Sequence, residues 1–588
     1  MLNNIAEGII FLASIASFFV IIYQFGFHQT FESKHLLSAS LAYILTAFFT
    51  GITFRYITRF QEVIQEKMLY IDISIYFLLF AVLSAKVFFK EVIAQSLPYL
   101  SFLAEPVFTY ILLLLLATIH LSRQFFTLIQ SRIKPSFLFL SSFVFVILVG
   151  AGLLMLPNAT TQPIHFIDAL FTATTSVCVT GLTTINVATS FTHIGHIIIM
   201  ILIQIGGIGV MTFTSFFALS FMGRSSFTSK IMLKDILNED RTGGLFRVIL
   251  NILFVTLLIE TIGAYIIYID IRGSLPGGMK EEIFFAAFHA ISAFCNAGIS
   301  TLDGNLYDPA IVHKYNVHVC IAFLIILGGL GFPIVFNYLK LIRHFIVNGI
   351  KILFGLQKHY VHTPHIINTH TYIVMGSTLI LLIGGTLLYL LFEADNTLSE
   401  LPWKGKIADA FFGAVTPRTA GFNITDMSRL APPTLILTLI LMVIGAGPMS
   451  TAGGVKVTTI CIALITAYNT AREKEKVEIR QREIAPFIIR RAFAIVTFYL
   501  LCTALIWWAL SYTEKGVSLY LLLFETVSAL STVGLSLNLT PSLTAAGKII
   551  IICAMLIGRI GVLTFMVSFS KEYIKKNYTY PQENNILM

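Results

Sequence analysis

Cys178-Val179-Thr180-Gly181-Leu182-Thr183 is the stretch this chain is built on, and the chain writes it four times. It recurs as Cys295-Asn296-Ala297-Gly298-Ile299-Ser300, as Arg418-Thr419-Ala420-Gly421-Phe422-Asn423 and as Ser531-Thr532-Val533-Gly534-Leu535-Ser536. The glycines stand about 120 residues apart, a period that marks one structural unit copied along a chain. Ten residues before each glycine is a phenylalanine (Phe171, Phe288, Phe411, Phe524), and eight before it is a small residue (Ala173, Ala290, Gly413, Thr526). Glycine lets a backbone take conformations other residues resist and approach a ligand closely. Four such backbones around one axis would aim carbonyl oxygens inward, the chemistry that replaces the hydration shell of a potassium ion. Four ordinary glycine turns are the competing reading, but they do not explain why helical segments bracket every copy in the same order.

Of 588 residues, 56% are hydrophobic and 12% charged, whereas about a quarter of a soluble domain is charged. Apolar runs of about 18 residues or more recur, so the chain reads as an all-α polytopic membrane protein. Four fused helix–pore loop–helix repeats around one pore are expected, preceded by about four extra transmembrane helices. The net charge of +9 follows loops between apolar spans, the positive-inside pattern. No stretch interleaves basic and aromatic residues as a nucleic-acid surface would. Cys320, Cys461, Cys502 and Cys553 lie in apolar segments, and Cys178 and Cys295 share a repeat position; all six read as reduced. The start of the chain has no basic n-region or small-residue cleavage site, so its first apolar run reads as a retained helix.

Residues 1–135 hold apolar segments near 5–26, 37–55, 69–88 and 99–121, lack the glycine signature and read as an accessory block. The repeats then occupy 136–222, 247–338, 372–466 and 488–570, with a cytoplasmic tail at 571–588. Each runs long helix, half-helix, extended loop, long helix. The closing helices are expected at 193–221, 316–338, 432–466 and 546–568. Half-helices begin at or near acids, Asp168, Glu281-Glu282 and Asp409, as helix N-caps would. Their C-terminal ends would then aim partial negative charge at the glycine loops and favour a cation. Basic loops, among them Arg224 to Arg247, Lys340 to Lys358 and Arg472 to Arg491, fall on one side, which places the glycine loops outside. Docking of a soluble regulator is the second reading of those charges.

The closing helices repeat a motif of their own: Gly206-Gly207-Ile208-Gly209, Gly328-Gly329-Leu330-Gly331 and Gly558-Arg559-Ile560-Gly561. Close helix packing is one function of such small residues. In the third repeat the helix is interrupted by 445–454, too rich in Gly and Pro to continue it, and that stretch reads as a flexible barrier. Arg559 stands where the other copies have Gly207 and Gly329, and a charge in an apolar span marks a functional site by default. It is expected to donate to carbonyls of the 445–454 loop. Lys456 reads as a weaker candidate that snorkels, and Arg418 as a pin for the third loop. The candidate K⁺ filter is thus Val179, Thr180 and Gly181; Asn296, Ala297 and Gly298; Thr419, Ala420 and Gly421; and Thr532, Val533 and Gly534. The candidate gate is Gly445, Gly447, Pro448, Gly453, Gly454, Lys456 and Arg559.

With these residues in view, the sequence resembles the Trk/Ktr/HKT family of potassium transporters, most closely its bacterial TrkH- and KtrB-type membrane subunits. The carrying strings are 175–182, Gln204-Ile205-Gly206-Gly207-Ile208-Gly209, Asn296-Ala297-Gly298, 328–333, 418–422, 450–456 and 558–561, which together cover about 137–570. The resemblance implies a K⁺-selective pore in the bacterial inner membrane, a homodimer, an intramembrane gating loop at 445–454 and a separate cytosolic nucleotide-binding regulator of the TrkA/KtrA type. No cofactor is expected in this chain; K⁺ is the transported ion, and Na⁺ as a coupling or activating ion is one open alternative beside passive and proton-coupled transport. Glycine at all four filter positions resembles the K⁺-conducting members, since sodium-selective relatives carry Ser in the first. Ile299 departs from the family's usual Phe, and Pro448-Met449 from the usual start of the gating loop.

The rival functions are a potassium-translocating subunit of a P-type ATPase complex, a secondary transporter of an organic solute, and a membrane enzyme. Four same-direction repeats argue against the inverted halves of a secondary transporter. No His/Asp/Glu/Ser cluster stands at catalytic spacing, and His289 reads as satisfied in place. His359, His362, His365 and His370 are spaced more loosely than the usual Zn²⁺ ligand sets.

Overall fold

A computed structural model describes residues 2–58, 69–87, 105–129, 135–209, 245–355, 369–474, 476–479 and 482–569. The leading block is α1 (Leu2–Gly26), α2 (Phe31–Thr58), α3 (Leu69–Val87) and α4 (Pro106–Ile129). Leu41, Leu45, Phe48, Val82, Leu113 and Leu116 form its core. Ser14 and Ser17 are buried there without cost, because each hydroxyl donates to the carbonyl four residues back at 2.7 Å. The block meets the rest of the chain where Asn158 donates its N–H to the Gly26 carbonyl at 3.0 Å.

The first repeat comprises α5 (Pro135–Leu154), α6 (Phe166–Val177) and α7 (His193–Ile208). The second has α8 (Leu245–Ile271), α9 (Gly278–Phe294), α10 (Tyr315–Leu330) and α11 (Phe332–Leu353). In the third are α12 (Thr369–Glu393), α13 (Trp403–Val415), α14 (Pro432–Val443) and α15 (Val457–Ala471). The fourth follows with α16 (Pro486–Thr513), α17 (Leu519–Leu530), α18 (Ala545–Ile560) and α19 (Val562–Phe569). Among the described residues five helices are long and apolar enough to cross a bilayer, or up to seven if each sharply bent pair is one span. The short second helices cannot cross. The 12 residues of α6 or α17 reach only about 18 Å, against a hydrocarbon core of ~30 Å.

Two closing helices that the sequence reads as continuous are sharply broken. Between α10 and α11 the axis turns by 103°, and between α18 and α19 by 97°. The break falls on the last glycine of each motif, Gly331 at φ 93° and Gly561 at φ 88°. Gly209, at φ 86°, ends α7 in the same way, and the expected stretch 210–221 lies outside the described residues. Positive φ is open to glycine and takes the residue out of the helical hydrogen-bond ladder. The first glycine of each motif packs instead: Gly206, Gly328 and Gly558 abut the carbonyls of Val177, Phe294 and Leu530, where a Cβ would overlap. One motif therefore makes a close approach and a hinge.

The acids near the short helices are not N-caps. His165, Gly277 and Pro402 occupy those positions without a side-chain cap bond. Glu282 instead accepts the Gly273 N–H at 2.5 Å, and Asp409 is buried in the middle of α13. Asp168 pairs with Lys548 at 2.6 Å, with both side chains at least 85% covered, and so ties the first repeat to the fourth. Removing one member of a buried pair leaves the other uncompensated, at a cost of roughly 3–5 kcal/mol. Asp168→Asn is therefore expected to lower the unfolding temperature in detergent clearly. Adding Lys548→Met should recover most of the loss, and a pair that contributes nothing would leave both variants at the parent value.

Candidate functional site

The four glycine loops share one backbone geometry. Val179, Asn296, Thr419 and Thr532 have φ of 54°, 62°, 71° and 51°, and two residues on Gly181, Gly298, Gly421 and Gly534 have φ of 102°, 67°, 80° and 92°. A non-glycine residue in the left-handed region costs roughly 1–2 kcal/mol, and such strain concentrates at functional sites. What holds it is the end of the preceding short helix. Thr180, Ala297 and Val533 donate their N–H groups to the carbonyls of Thr175, Ser292 and Ser528 at 2.8, 2.7 and 2.8 Å. With these amides turned back to the helix, the carbonyls of the same residues face a neighbouring loop.

Each carbonyl faces the glycine of the preceding repeat, so each glycine meets the carbonyl of the next one. A Cβ on Gly181 would lie 2.7 Å from the Ala297 carbonyl oxygen, and one on Gly421 would lie 2.6 Å from that of Val533. On Gly298 it would overlap the Ala420 carbonyl, and on Gly534 that of Thr180. The sequence of contacts runs first to second, second to third, third to fourth and fourth back to first. It closes a ring of four backbones in which no side chain fits.

The third loop is out of register by one residue. Ala420 donates to Thr416, four residues back, at 3.0 Å, rather than five back as in the other loops. Accordingly Phe412 is fully buried where the repeat pattern points to Phe411, which is half-buried. Thr416 Oγ1 donates to the Phe422 carbonyl at 2.5 Å.

Sequence reasoning missed the hydroxyls that brace these loops. Thr175 Oγ1 and Ser528 Oγ accept the N–H of Gly181 and Gly534 at 2.9 and 3.1 Å, and Ser292 Oγ donates to Ile299 at 2.8 Å. Each stands six residues before its glycine, so the signal was present in the register. Glu260 was missed as well. Four per cent exposed on α8, it accepts from Gln204 Nε2 at 3.0 Å and from the Cys295 thiol at 3.8 Å, directly behind the second loop. A lone acid in an apolar span was its signal. His289 is satisfied by the Phe285 carbonyl and Ser300 Oγ, both at 2.9 Å. Among the described residues the cysteines are free thiols. His359, His362 and His365 lie outside those residues.

Beneath the ring, 444–456 folds back on itself: Gly445 donates to Val455 at 2.9 Å and Val457 to Ala446 at 3.1 Å. Gly447 donates to Gly329 at 2.8 Å, and Thr451 Oγ1 to the last carbonyl of α9, Phe294, at 3.1 Å. Gly453 packs against the Thr532 side chain, and a Cβ on Gly454 would lie 3.2 Å from the Ser531 carbonyl. Gly331 abuts the Pro448 carbonyl. Arg559 donates one guanidinium nitrogen to the Thr451 carbonyl and another to that of Gly206. All four repeats thus touch the loop or the arginine that holds it. Lys456 does not snorkel; its Nζ donates to Ala452 and Gly453 at 2.7 and 3.4 Å. Arg418 is buried and donates to Thr378 Oγ1 on α12 at 3.2 Å, anchoring the third loop.

A polytopic membrane protein whose four repeats deliver backbone carbonyls to one ring has the build of an ion conductor rather than of a catalyst. The TrkH family model, described as a cation transport protein, matches residues 104–579. The chain is 38% identical to Ktr system potassium uptake protein B of Bacillus subtilis, over 76% of this chain and 96% of that one. To the potassium/sodium uptake protein NtpJ of Enterococcus hirae it is 36% identical, over 78% and 98%. The crystal structure of the potassium transporter TrkH from Vibrio parahaemolyticus superposes with a TM-score of 0.59 at 16% identity, covering 84% of this chain and 97% of that one, a likeness of fold. The chain belongs to the TrkH family of cation transport proteins.

Proposed function

We propose that this protein takes up K⁺ across the bacterial plasma membrane through a single pore between its four repeats. The observation that carries this is the closed ring of carbonyls and glycines at Thr180-Gly181, Ala297-Gly298, Ala420-Gly421 and Val533-Gly534. On this reading Val179, Asn296, Thr419 and Thr532 complete the filter below the ring. Backbone oxygens replace the hydration of K⁺, and the C-terminal ends of four short helices add partial negative charge. Gly445, Gly447, Pro448, Gly453 and Gly454 form a gate that Arg559 and Lys456 hold shut. The chain works as a homodimer with a separate cytosolic nucleotide-binding subunit; of this, the existence of partner components is what the naming of its relatives as parts of a Ktr system supports. Na⁺ is a second ion to consider, since one relative is named for both potassium and sodium.

Uptake of K⁺, Rb⁺, Na⁺ and Li⁺ into vesicles holding only this chain, under an imposed potential, tests the proposal. Flux of K⁺ and Rb⁺ that follows the potential without ATP is expected. Flux that appears only with a second subunit and hydrolysable ATP would favour a pump subunit instead.

A further inference from the structure

The amphipathic helix α11 has no account in the reading above. It leaves Gly331 at 103° to α10, so an apolar span is followed by a helix lying across its axis. Asn337, Lys340, His344, Asn348 and Lys351 share a stripe about 80° wide at 3.6 residues per turn. Away from it, Leu339, Ile342, Ile346, Ile350 and Leu353 are exposed. Between 332 and 353 there are three basic residues, Lys340, Arg343 and Lys351, and no acid. The beginning of the helix is anchored in the protein: Ile334 packs with Leu330 and Val374, and Asn337 donates to Thr371 Oγ1 at 2.8 Å; further along, Asn348 on the polar stripe is buried as well. That same beginning touches the 445–454 loop, where Phe332 donates its N–H to the Met449 carbonyl at 3.2 Å.

A helix with a broad apolar face and a basic polar stripe lies in the plane of a membrane surface, with its apolar side in the acyl boundary. Anionic headgroups attract such cations within a Debye length. Arg343 stands at the edge of the apolar face and can reach the headgroups by snorkelling. A bilayer covers this face better than a protein partner does, because α11 continues directly from the apolar helix α10 and carries charge of one sign.

We propose that α11 is an interfacial helix that binds anionic phospholipid headgroups through Lys340, Arg343 and Lys351, and that lipid charge thereby strengthens the hold on the 445–454 loop. The inference rests on the reading of that loop as the gate. In the structure the bent helix and the pinned loop occur together, so lipid that favours the in-plane helix favours the closed loop.

The full chain is reconstituted in vesicles of phosphatidylcholine alone or with phosphatidylglycerol. K⁺ flux is expected to be about tenfold lower in the anionic vesicles, from three basic residues at a charged surface. Lys340→Gln/Arg343→Gln/Lys351→Gln should erase that difference, and Lys340→Arg/Lys351→Arg should keep it. An unchanged lipid ratio in the neutralised variant overturns the proposal. Ile346→Trp should be quenched by brominated lipid beyond the parent protein. Absence of that quenching, with a copy-to-copy cross-link through Ile346→Cys, would assign the face to a second chain and overturn it too. Shortening 445–454 should abolish the lipid dependence, and persistence would overturn the route through the loop. Basal flux of the shortened chain in neutral vesicles judges the gate reading separately.

Discussion

Gly181→Ser is expected to reduce the preference for K⁺ over Na⁺ uptake by about tenfold, which corresponds to about 1.4 kcal/mol. Two costs act together at this position. A side chain at φ 102° is strained whatever space surrounds it. The added Cβ would also sit 2.7 Å from the Ala297 carbonyl oxygen and 3.3 Å from Gly534 Cα, so the second and fourth loops must both move. A ring of carbonyls selects by the number and placement of its dipoles, and displacing one loop displaces its neighbours because contacts run around the cycle. The comparison is Gly152→Ala on α5, where nothing lies within 4 Å of the added atom. Competitive uptake of ⁸⁶Rb⁺ and Na⁺ in vesicles measures the ratio. Equal selectivity in both variants, with both folded, would remove Gly181 from the filter.

Replacing Arg559 with alanine is expected to raise K⁺ flux about tenfold or more. Its guanidinium donates to Thr451 in the loop and to Gly206 at the end of α7, bridging the third repeat to the first from a base on the fourth. Hydrogen bonds to a charged donor contribute roughly 1.5–3 kcal/mol each, and a shift of about 1.4 kcal/mol in a closed-to-open balance is already tenfold. Losing the arginine also removes a positive charge beneath the carbonyl ring. Arg559→Lys retains the charge but cannot span two carbonyls with a planar fork, so its flux should fall between parent and alanine. A well-folded Arg559→Ala that conducts less than the parent would reject the gate reading.

Much of this is legible in the sequence, and for identifiable reasons. Membrane helices announce themselves by apolar length, and a fourfold repeat announces itself by register. The glycines could be read because positive φ and close approach leave almost no other residue possible. Arg559 and the 445–454 stretch were legible because a charge or a Gly/Pro run in an apolar span has to be compensated by something nearby. What escaped was smaller in sequence terms. The one-residue shift of the third loop leaves Phe411 in the pattern and buries Phe412, and two adjacent phenylalanines cannot reveal which faces the core. Gly331 and Gly561 looked like packing glycines, since a hinge and a packing contact use the same residue. The acids Asp168, Glu282 and Asp409 mimic N-caps by position alone, while their partners lie on other segments.

By itself, then, the sequence determined the class of fold, the four copies, and the residue types that must sit where backbone meets backbone. These follow from local rules, the length of an apolar run and the conformations open to glycine, which act within a few residues. Only the tertiary structure decided the cyclic order of the loops, the pairing of Asp168 with Lys548, the span of Arg559 from Thr451 to Gly206, and the turn of α11 across α10. Each of these depends on contacts between segments tens to hundreds of residues apart, and no local rule carries information over that distance.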